Sequence, residues 1–209
     1  MSADLHSDAA DLQTEFGLID IYVFDQLLRG NLHSGQSVLD AGCGTGRNAH
    51  YLMRQGAEVY GVDRDPAQID QIQARRANIA QSLPRSNFCV AELDDLPFPD
   101  AHFGAVICNS VLHFCAHEAH FEAIVSEMWR VLEPGGLYFA RLASTIGLGG
   151  AAVPVQGRWH TLPDGSERFL VDEAYLTKVS AGLGAAWVDP LKTTVVQGMR
   201  AMTTWVLRK

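Results

Sequence analysis

The sequence predicts an α/β fold of three layers: a doubly wound, mostly parallel seven-stranded sheet ending in an antiparallel pair of strands. Three observations predict it. Short β-prone runs alternate with helical apolar stripes as far as Leu142, which implies parallel strands joined by crossover helices on both faces. A glycine-rich turn, Asp40-Ala41-Gly42-Cys43-Gly44-Thr45-Gly46, leaves the first run. Near the C-terminus, Trp187–Val196 and Met202–Leu207 are joined through Gly198, a link too short for a crossover helix, so they pair antiparallel.

The elements follow in order. Apolar residues at Ile19, Tyr22, Val23 and Leu27 predict a helix over Leu18–Leu28, stopped by Gly30. Ser37–Asp40 is the first strand, and Asn48–Gln55 reads as a short helix closed by Gly56. Glu58–Val62 is the second strand. Asp65 and Pro66 then supply an N-cap and a favoured first residue for a helix striped by Ile69, Ile72 and Ile79. Leu83-Pro84 breaks it, Asn87–Ala91 is the third strand, and an acid- and proline-rich loop over Glu92–Asp100 leads to a fourth at Ala105–Asn109.

A long helix from about His117 carries Phe121, Ile124, Val125, Met128 and Leu132 on one face. Glu133-Pro134-Gly135-Gly136 turns it into the fifth strand, Leu137–Leu142. Ala143–Gln156 shows no clear period, and Pro163-Asp164-Gly165-Ser166 between Arg158–Leu162 and Glu167–Val171 signals a hairpin. A helix over Asp172–Leu183 precedes the last two strands.

At 209 residues the chain is expected to form one domain over 1–209. Its parts are a helical segment (1–35), the core (36–142), a loop and hairpin insertion (143–171), and a C-terminal helix with antiparallel strands (172–209). With 47% apolar and 19% charged residues it has the balance of a folded protein, and no apolar run approaches the roughly 20 residues of a membrane span. The polar, acidic start, Met1–Thr14, lacks the pattern of a secretory signal, which predicts a cytoplasmic protein.

A net charge of −8 disfavours a nucleic-acid partner, since such binding neutralises phosphates with Lys and Arg. Cys43, Cys89, Cys108 and Cys115 lie in or beside apolar segments with no Cys-x-x-Cys pair, so buried free thiols are expected.

The glycine turn is the strongest sign of chemistry. Without side chains at Gly42, Gly44 and Gly46, a ligand can lie against the peptide groups. A dinucleotide fingerprint, Gly-x-Gly-x-x-Gly, would put its third glycine where Arg47 stands. Beyond it, each strand ends in a polar residue: Asp40, then Asp63, Glu92, and Asn109-Ser110. In a doubly wound sheet those strand ends form the ligand site, and Asp63 stands where a carboxylate can accept both hydroxyl protons of an adenosine ribose.

On these residues the chain resembles the class I S-adenosylmethionine (SAM)-dependent methyltransferases, which have a Rossmann-like fold. The likeness extends through Asp94-Asp95-Leu96-Pro97-Phe98-Pro99-Asp100, Asn109-Ser110-Val111-Leu112-His113 and Arg130-Val131-Leu132-Glu133-Pro134-Gly135-Gly136, covering about residues 36–142. Gly46-Arg47-Asn48 and Thr203–Lys209 are similar to small bacterial methyltransferases of the tellurite-resistance type. Gly104 departs from the family, which usually carries an acid there.

The resemblance implies SAM as cofactor, with S-adenosylhomocysteine as product. The turn over Asp40, Gly42, Cys43, Gly44, Gly46 and Arg47 would then pack on the methionine part, with Asp40 organising the turn or accepting from the ammonium. Asp63 would take the ribose, Glu92 the adenine amino group, the Leu93 N–H the adenine ring, and Arg64 would flank the adenine face. Asn109 would complete the cofactor set.

Competing structural roles are weighed beside these. Asp65, next to Pro66, is the better helix cap, which leaves Asp63 for the ligand. His117, Glu118 and His120 read as an exposed first turn, so no metal site is expected. His113 is the weak catalytic candidate, a substrate-side residue that a phenolic acceptor would recruit as base. Arg158, Trp159 and Arg168 read first as hairpin packing, and Tyr22 and Phe24 as core.

The expected function is methyl transfer to a small-molecule acceptor by in-line displacement, in a monomer or homodimer. The alternatives are a non-catalytic SAM-binding or regulatory protein and a nicotinamide oxidoreductase.

Overall fold

The computed structural model describes residues 10–209, so the first nine residues of the acidic start lie outside it. The chain divides into two compact units, residues 1–91 and 92–209, a division that falls inside the 36–142 stretch.

In the first unit the strands β1 (Ser37–Ala41), β2 (Glu58–Asp63) and β3 (Phe88–Val90) are parallel and adjacent in that order. Residues 10–16 form a helix, α1, where none was expected. Its sequence is polar, but Phe16 stacks on Tyr51 with centroids 4.9 Å apart and meets Phe24 edge-on, and Glu15 pairs with Arg54 at 3.0 Å. The next helix, α2 (Ile21–Leu28), starts later than Leu18 because Asp20 caps it, its carboxylate accepting the Tyr22 N–H. Gly30 ends that stretch at φ +70°.

The helix α3 is short, His50–Arg54. The cap of α4 (Pro66–Ile79) is the expected one, with Asp65 accepting the Ala67 N–H at 2.9 Å. Val38, Leu39, Val59, Val62, Ile72 and Leu52 bury the core of this unit.

In the second unit β4 (Phe103–Asn109) is buried along its whole length and runs parallel to β5 (Leu132–Ala143). The register shifts between Phe103 and Ala105, at Gly104, where β5 carries the extra residues Glu133–Gly136. Helix α5 (Glu118–Val131) is capped by His117. At its other end the Lys209 ammonium donates to the carbonyls of Trp129 and Leu132, supplying a cation where the helix leaves carbonyls unpaired.

Strand β6 (Val153–Gln156), β7 (Trp159–Thr161) and β8 (Glu167–Phe169) form a separate antiparallel sheet. The β7–β8 hairpin was expected; β6 was not, because its run Val-Pro-Val-Gln holds a proline, which weakens a strand signal. Helix α6 (Glu173–Gly182) follows. The stretch read as one strand over 187–196 is two: β9 (Ala186–Trp187) and β10 (Lys192–Val196), separated at Asp189-Pro190. Both pair antiparallel with β11 (Arg200–Arg208), which also pairs antiparallel with β5. Proline lacks the N–H a ladder needs and is confined to such edges.

Phe121, Phe169, Tyr138 and Trp205 form the aromatic centre of this unit. The indole N–H of Trp205 is satisfied by the Ser180 hydroxyl at 3.0 Å.

Candidate cofactor site

In the first unit the turn after β1 is fastened to β2. The Gly42 and Cys43 N–H groups both donate to the Val62 carbonyl at 2.9 Å. Gly42, Gly44 and Gly46 have φ of +72°, +51° and +75°, the left-handed region that side chains disfavour. Gly44 and Gly46 serve different ends. A side chain at Gly44 would meet only Gln68, at 3.7 Å, so its peptide is open to a ligand. A Cβ at Gly46 would lie 2.7 Å from Ile72, so packing against α4 is reason enough for glycine there.

Asp63 braces the same turn. One carboxylate oxygen accepts the Gly44 N–H at 2.9 Å and the other the Asp65 N–H at 3.0 Å. Beneath the turn Cys43 packs against Gly61, and burial, with the charges of Asp40 and Asp63 adding to it, raises its thiol far above the ordinary range.

Asp40 is the anomaly of the unit. It is 2% exposed, and its Oδ2 has no hydrogen-bond partner. Burial pushes its carboxyl up to about 7, with Arg47 opposing and Asp63 reinforcing the shift. A buried carboxylate oxygen without a donor is costly unless a ligand supplies one. The structure therefore brings Asp40, Gly42, Cys43, Gly44, Gly46, Arg47 and Asp63 together around one turn, and leaves Arg64 exposed just beyond it.

In the second unit Glu92 is exposed and Leu93 is buried. Asn109 is buried at the end of β4 and accepts from the Ser110 hydroxyl at 2.7 Å. Ser110 has φ +65°, a strained conformation of the kind that clusters at functional sites. The acidic loop is held by Arg130, whose guanidinium donates to the Leu96 and Phe98 carbonyls, to Asp100 and to Glu127. Two of the sequence motifs, Asp94–Asp100 and Arg130–Gly136, are thus partners in one structural contact.

His113 follows in a short turn and is 6% exposed, with Nδ1 unpartnered. Burial first, and the Arg168 charge second, lower it to about 4, so it is neutral near pH 7. His117 and His120 are engaged in capping: His117 Nδ1 accepts the His120 N–H, and His120 Nδ1 the Ala116 N–H. Among the described residues no three His, Cys, Asp or Glu side chains gather as metal ligands.

His113 and Ser110 line a cavity of about 340 Å³ together with Arg141, Arg168 and Arg200. The sequence reading missed Arg141 and Arg200. A readable signal was present for Arg141, a charge set within the otherwise apolar run Leu137–Ala143.

Residues 39–140 match the model of a methyltransferase-domain family. A malonyl-[acyl-carrier protein] O-methyltransferase of Serratia marcescens is 30% identical over 163 residues, covering 76% of this chain and 57% of that protein. An uncharacterized methyltransferase of Bacillus subtilis is 38% identical over 102 residues, covering 49% of this chain and 41% of the other. The chain spans about half the length of the curated relatives it matches.

Among solved structures, the 1,6-didemethyltoxoflavin-N1-methyltransferase of Burkholderia thailandensis superposes with a TM-score of 0.70 at 18% identity, over 99% of this chain and 86% of that one. It was crystallised with 1,6-didemethyltoxoflavin and S-adenosylhomocysteine, and its likeness is one of fold, a doubly wound Rossmann-like α/β fold. Residues 39–140 of this chain are thus similar to a methyltransferase domain.

Proposed function

We propose that this chain is a SAM-dependent methyltransferase acting on a small-molecule acceptor by in-line displacement. The observation that carries this reading is Asp40, whose buried, donor-less oxygen lies in the turn where the methionine ammonium is expected. An ammonium supplies both a donor and the charge that keeps Asp40 ionised. The open Gly44 peptide offers a surface for the methionine chain, and Asp63 keeps lone pairs beyond the two already used for the ribose hydroxyls. Glu92, Leu93 and Arg64 are assigned to the adenine, and Asn109 to the cofactor set, on the family resemblance.

When bound, SAM supplies a methyl group on a sulfonium. The chain's own contribution is to fix donor and acceptor in line and to keep water away, a positioning effect that lowers the barrier without acid or base chemistry. A base is needed only for an acceptor that must lose a proton. Neutral His113, with a vacant Nδ1, is the residue proposed for that role. The four free cysteines fit a reducing, cytoplasmic setting.

Calorimetric titration with SAM, S-adenosylhomocysteine and NAD, followed by transfer of a labelled methyl group to a panel of acceptors, tests the proposal. Saturable SAM binding with transfer is expected. NAD binding without a SAM response would overturn it, and SAM binding with no transfer to any acceptor would favour a regulatory SAM-binding protein.

A further inference from the structure

The cavity beside His113 lies wholly within the second unit and is built from two surfaces. Its floor is one face of the β5–β11–β10 ladder. Ala143 pairs with Met202 and Met202 with Thr194, while Val196 pairs with Arg200, and side chains two apart on a strand share a face. That periodicity places Arg141, two residues before Ala143, on the same face as Arg200. The other surface is the β7–β8 hairpin, which contributes Leu162, Asp164, Ser166 and Arg168. Leu162 and Leu170 pack with Ala143, Leu148 and Ala201, and this apolar cluster holds the hairpin against the ladder.

The charge inside is lopsided. Arg141, Arg168 and Arg200 line the cavity against the single carboxylate of Asp164. That carboxylate accepts the Ser166 N–H at 3.0 Å and the Ser166 hydroxyl at 2.6 Å on one oxygen, and these bonds, with the nearby charges of Arg200 and Arg168, hold it below the usual range. Arg168 donates to the Glu167 carbonyl, and its guanidinium carbon lies 5.0 Å from the centre of the Phe114 ring. Among the described residues neither Arg168 nor Arg200 forms an ion pair. Elsewhere in the unit the pattern differs: Arg130 and Arg158 each pair with two carboxylates. Three arginines around a single carboxylate leave a surplus of positive charge on this concavity, which suits an anion.

We infer that this cavity binds a compact oxyanion, a carboxylate or a phosphate monoester, carried by the methyl acceptor, with Arg168 and Arg200 as its principal partners. The word acceptor rests on the methyltransferase reading above; the anion site itself does not. The guanidinium groups hold the substrate's charged end and need not touch the atom that is methylated. Neutral analogues, which offer the guanidinium groups no opposite charge, are selected against.

The test is titration of the full chain with glutarate, methyl phosphate and the uncharged glutaramide, followed by NMR of the arginine Nε–H groups, with S-adenosylhomocysteine affinity measured in parallel. Saturable shifts at Arg168 and Arg200 are expected with at least one oxyanion, and none with glutaramide. Preference for glutarate or for methyl phosphate tells carboxylate from phosphate. Arg168→Gln and Arg200→Gln should each weaken the anion at least tenfold while leaving S-adenosylhomocysteine affinity and melting temperature unchanged, and Arg200→Lys should restore part of the loss.

If neither oxyanion saturates, if glutaramide binds as well as glutarate, or if the Gln variants bind like the parent, the assignment is wrong. Oxyanion binding without any S-adenosylhomocysteine binding would instead overturn the methyltransferase reading and leave the anion site standing.

Discussion

Asp63 accepts the Gly44 N–H at 2.9 Å across nineteen residues of chain, tying the end of β2 to the open point of the turn after β1. The acid proposed to hold the ribose therefore also shapes the surface on which the rest of the cofactor would lie. A carboxylate offers about four lone-pair positions, and the Gly44 and Asp65 N–H groups take two.

Replacing Asp63 by alanine removes both the brace and the proposed ribose acceptor. S-adenosylhomocysteine affinity should fall by more than tenfold, an effect of about 2 kcal/mol, as expected for charge-assisted hydrogen bonds. Asp63→Asn keeps one acceptor oxygen for Gly44 but loses the charge, so it should bind between the parent and the alanine variant. Calorimetry distinguishes the three, and equal affinity throughout would remove Asp63 from the ribose.

Asp40 makes cofactor affinity pH-dependent. Its carboxyl, pushed up to about 7, is largely protonated at pH 6 and must ionise to pair with an ammonium, so binding releases a proton there. Affinity should rise with pH up to about 7 and flatten above, and the slope should vanish in Asp40→Asn, which should also bind weakly. The free protein behaves in the opposite sense. Because the folded carboxyl titrates above its ordinary 3.8, the folded state holds a proton the unfolded chain has lost, and this group's contribution to stability declines from about pH 4 to about pH 7. Melting curves with and without S-adenosylhomocysteine should therefore diverge as pH rises through that window.

Much of this was legible in the sequence, and what was not has identifiable causes. The parallel strands, the Asp65-Pro66 cap and the β7–β8 hairpin each rest on a local signal: an apolar run, a capping pair, an Asp-Gly turn. Helix α1 rests on contacts Phe16 and Glu15 make with distant residues, which no local period records. The same holds for the site. Asp40 and Asp63 were recognisable from their places at the ends of β1 and β2, but the use of Gly46 by Ile72 is a tertiary fact. So is the convergence of Arg141, Arg168 and Arg200, brought together from β5, β8 and β11.

Arg130 is expected to matter for stability rather than for the cofactor. Its guanidinium contacts Glu127 at 2.8 Å and Asp100 at 2.7 Å, and closes the Leu96 and Phe98 carbonyls of the acidic loop. With the side chain 31% exposed, solvent weakens the ion pairs, yet the two carbonyls lose their donors if it is removed. Arg130→Ala should destabilise the fold by about 2 kcal/mol. Arg130→Lys, which cannot span all four partners, should recover only a minor part in urea unfolding.

Gly46 provides a double-mutant test of whether the turn's glycines serve packing as well as a ligand. An alanine Cβ would stand 2.7 Å from Cδ1 and Cγ1 of Ile72, and its φ of +75° would be strained whatever the space. Gly46→Ala should cost about 2 kcal/mol or more, part from the clash and part from the backbone. Shortening the neighbour with Ile72→Ala removes the clashing atoms but opens a cavity of its own, and it should be destabilising when made alone. Combined, the two changes should cost less than the sum of the separate losses by about 1 kcal/mol, the clash being counted only once. The coupling read from unfolding free energies isolates the packing part, because the φ penalty is the same in both backgrounds and cancels. Strict additivity would mean that Ile72 does not fill the space above Gly46, and that a ligand rather than α4 accounts for the glycine.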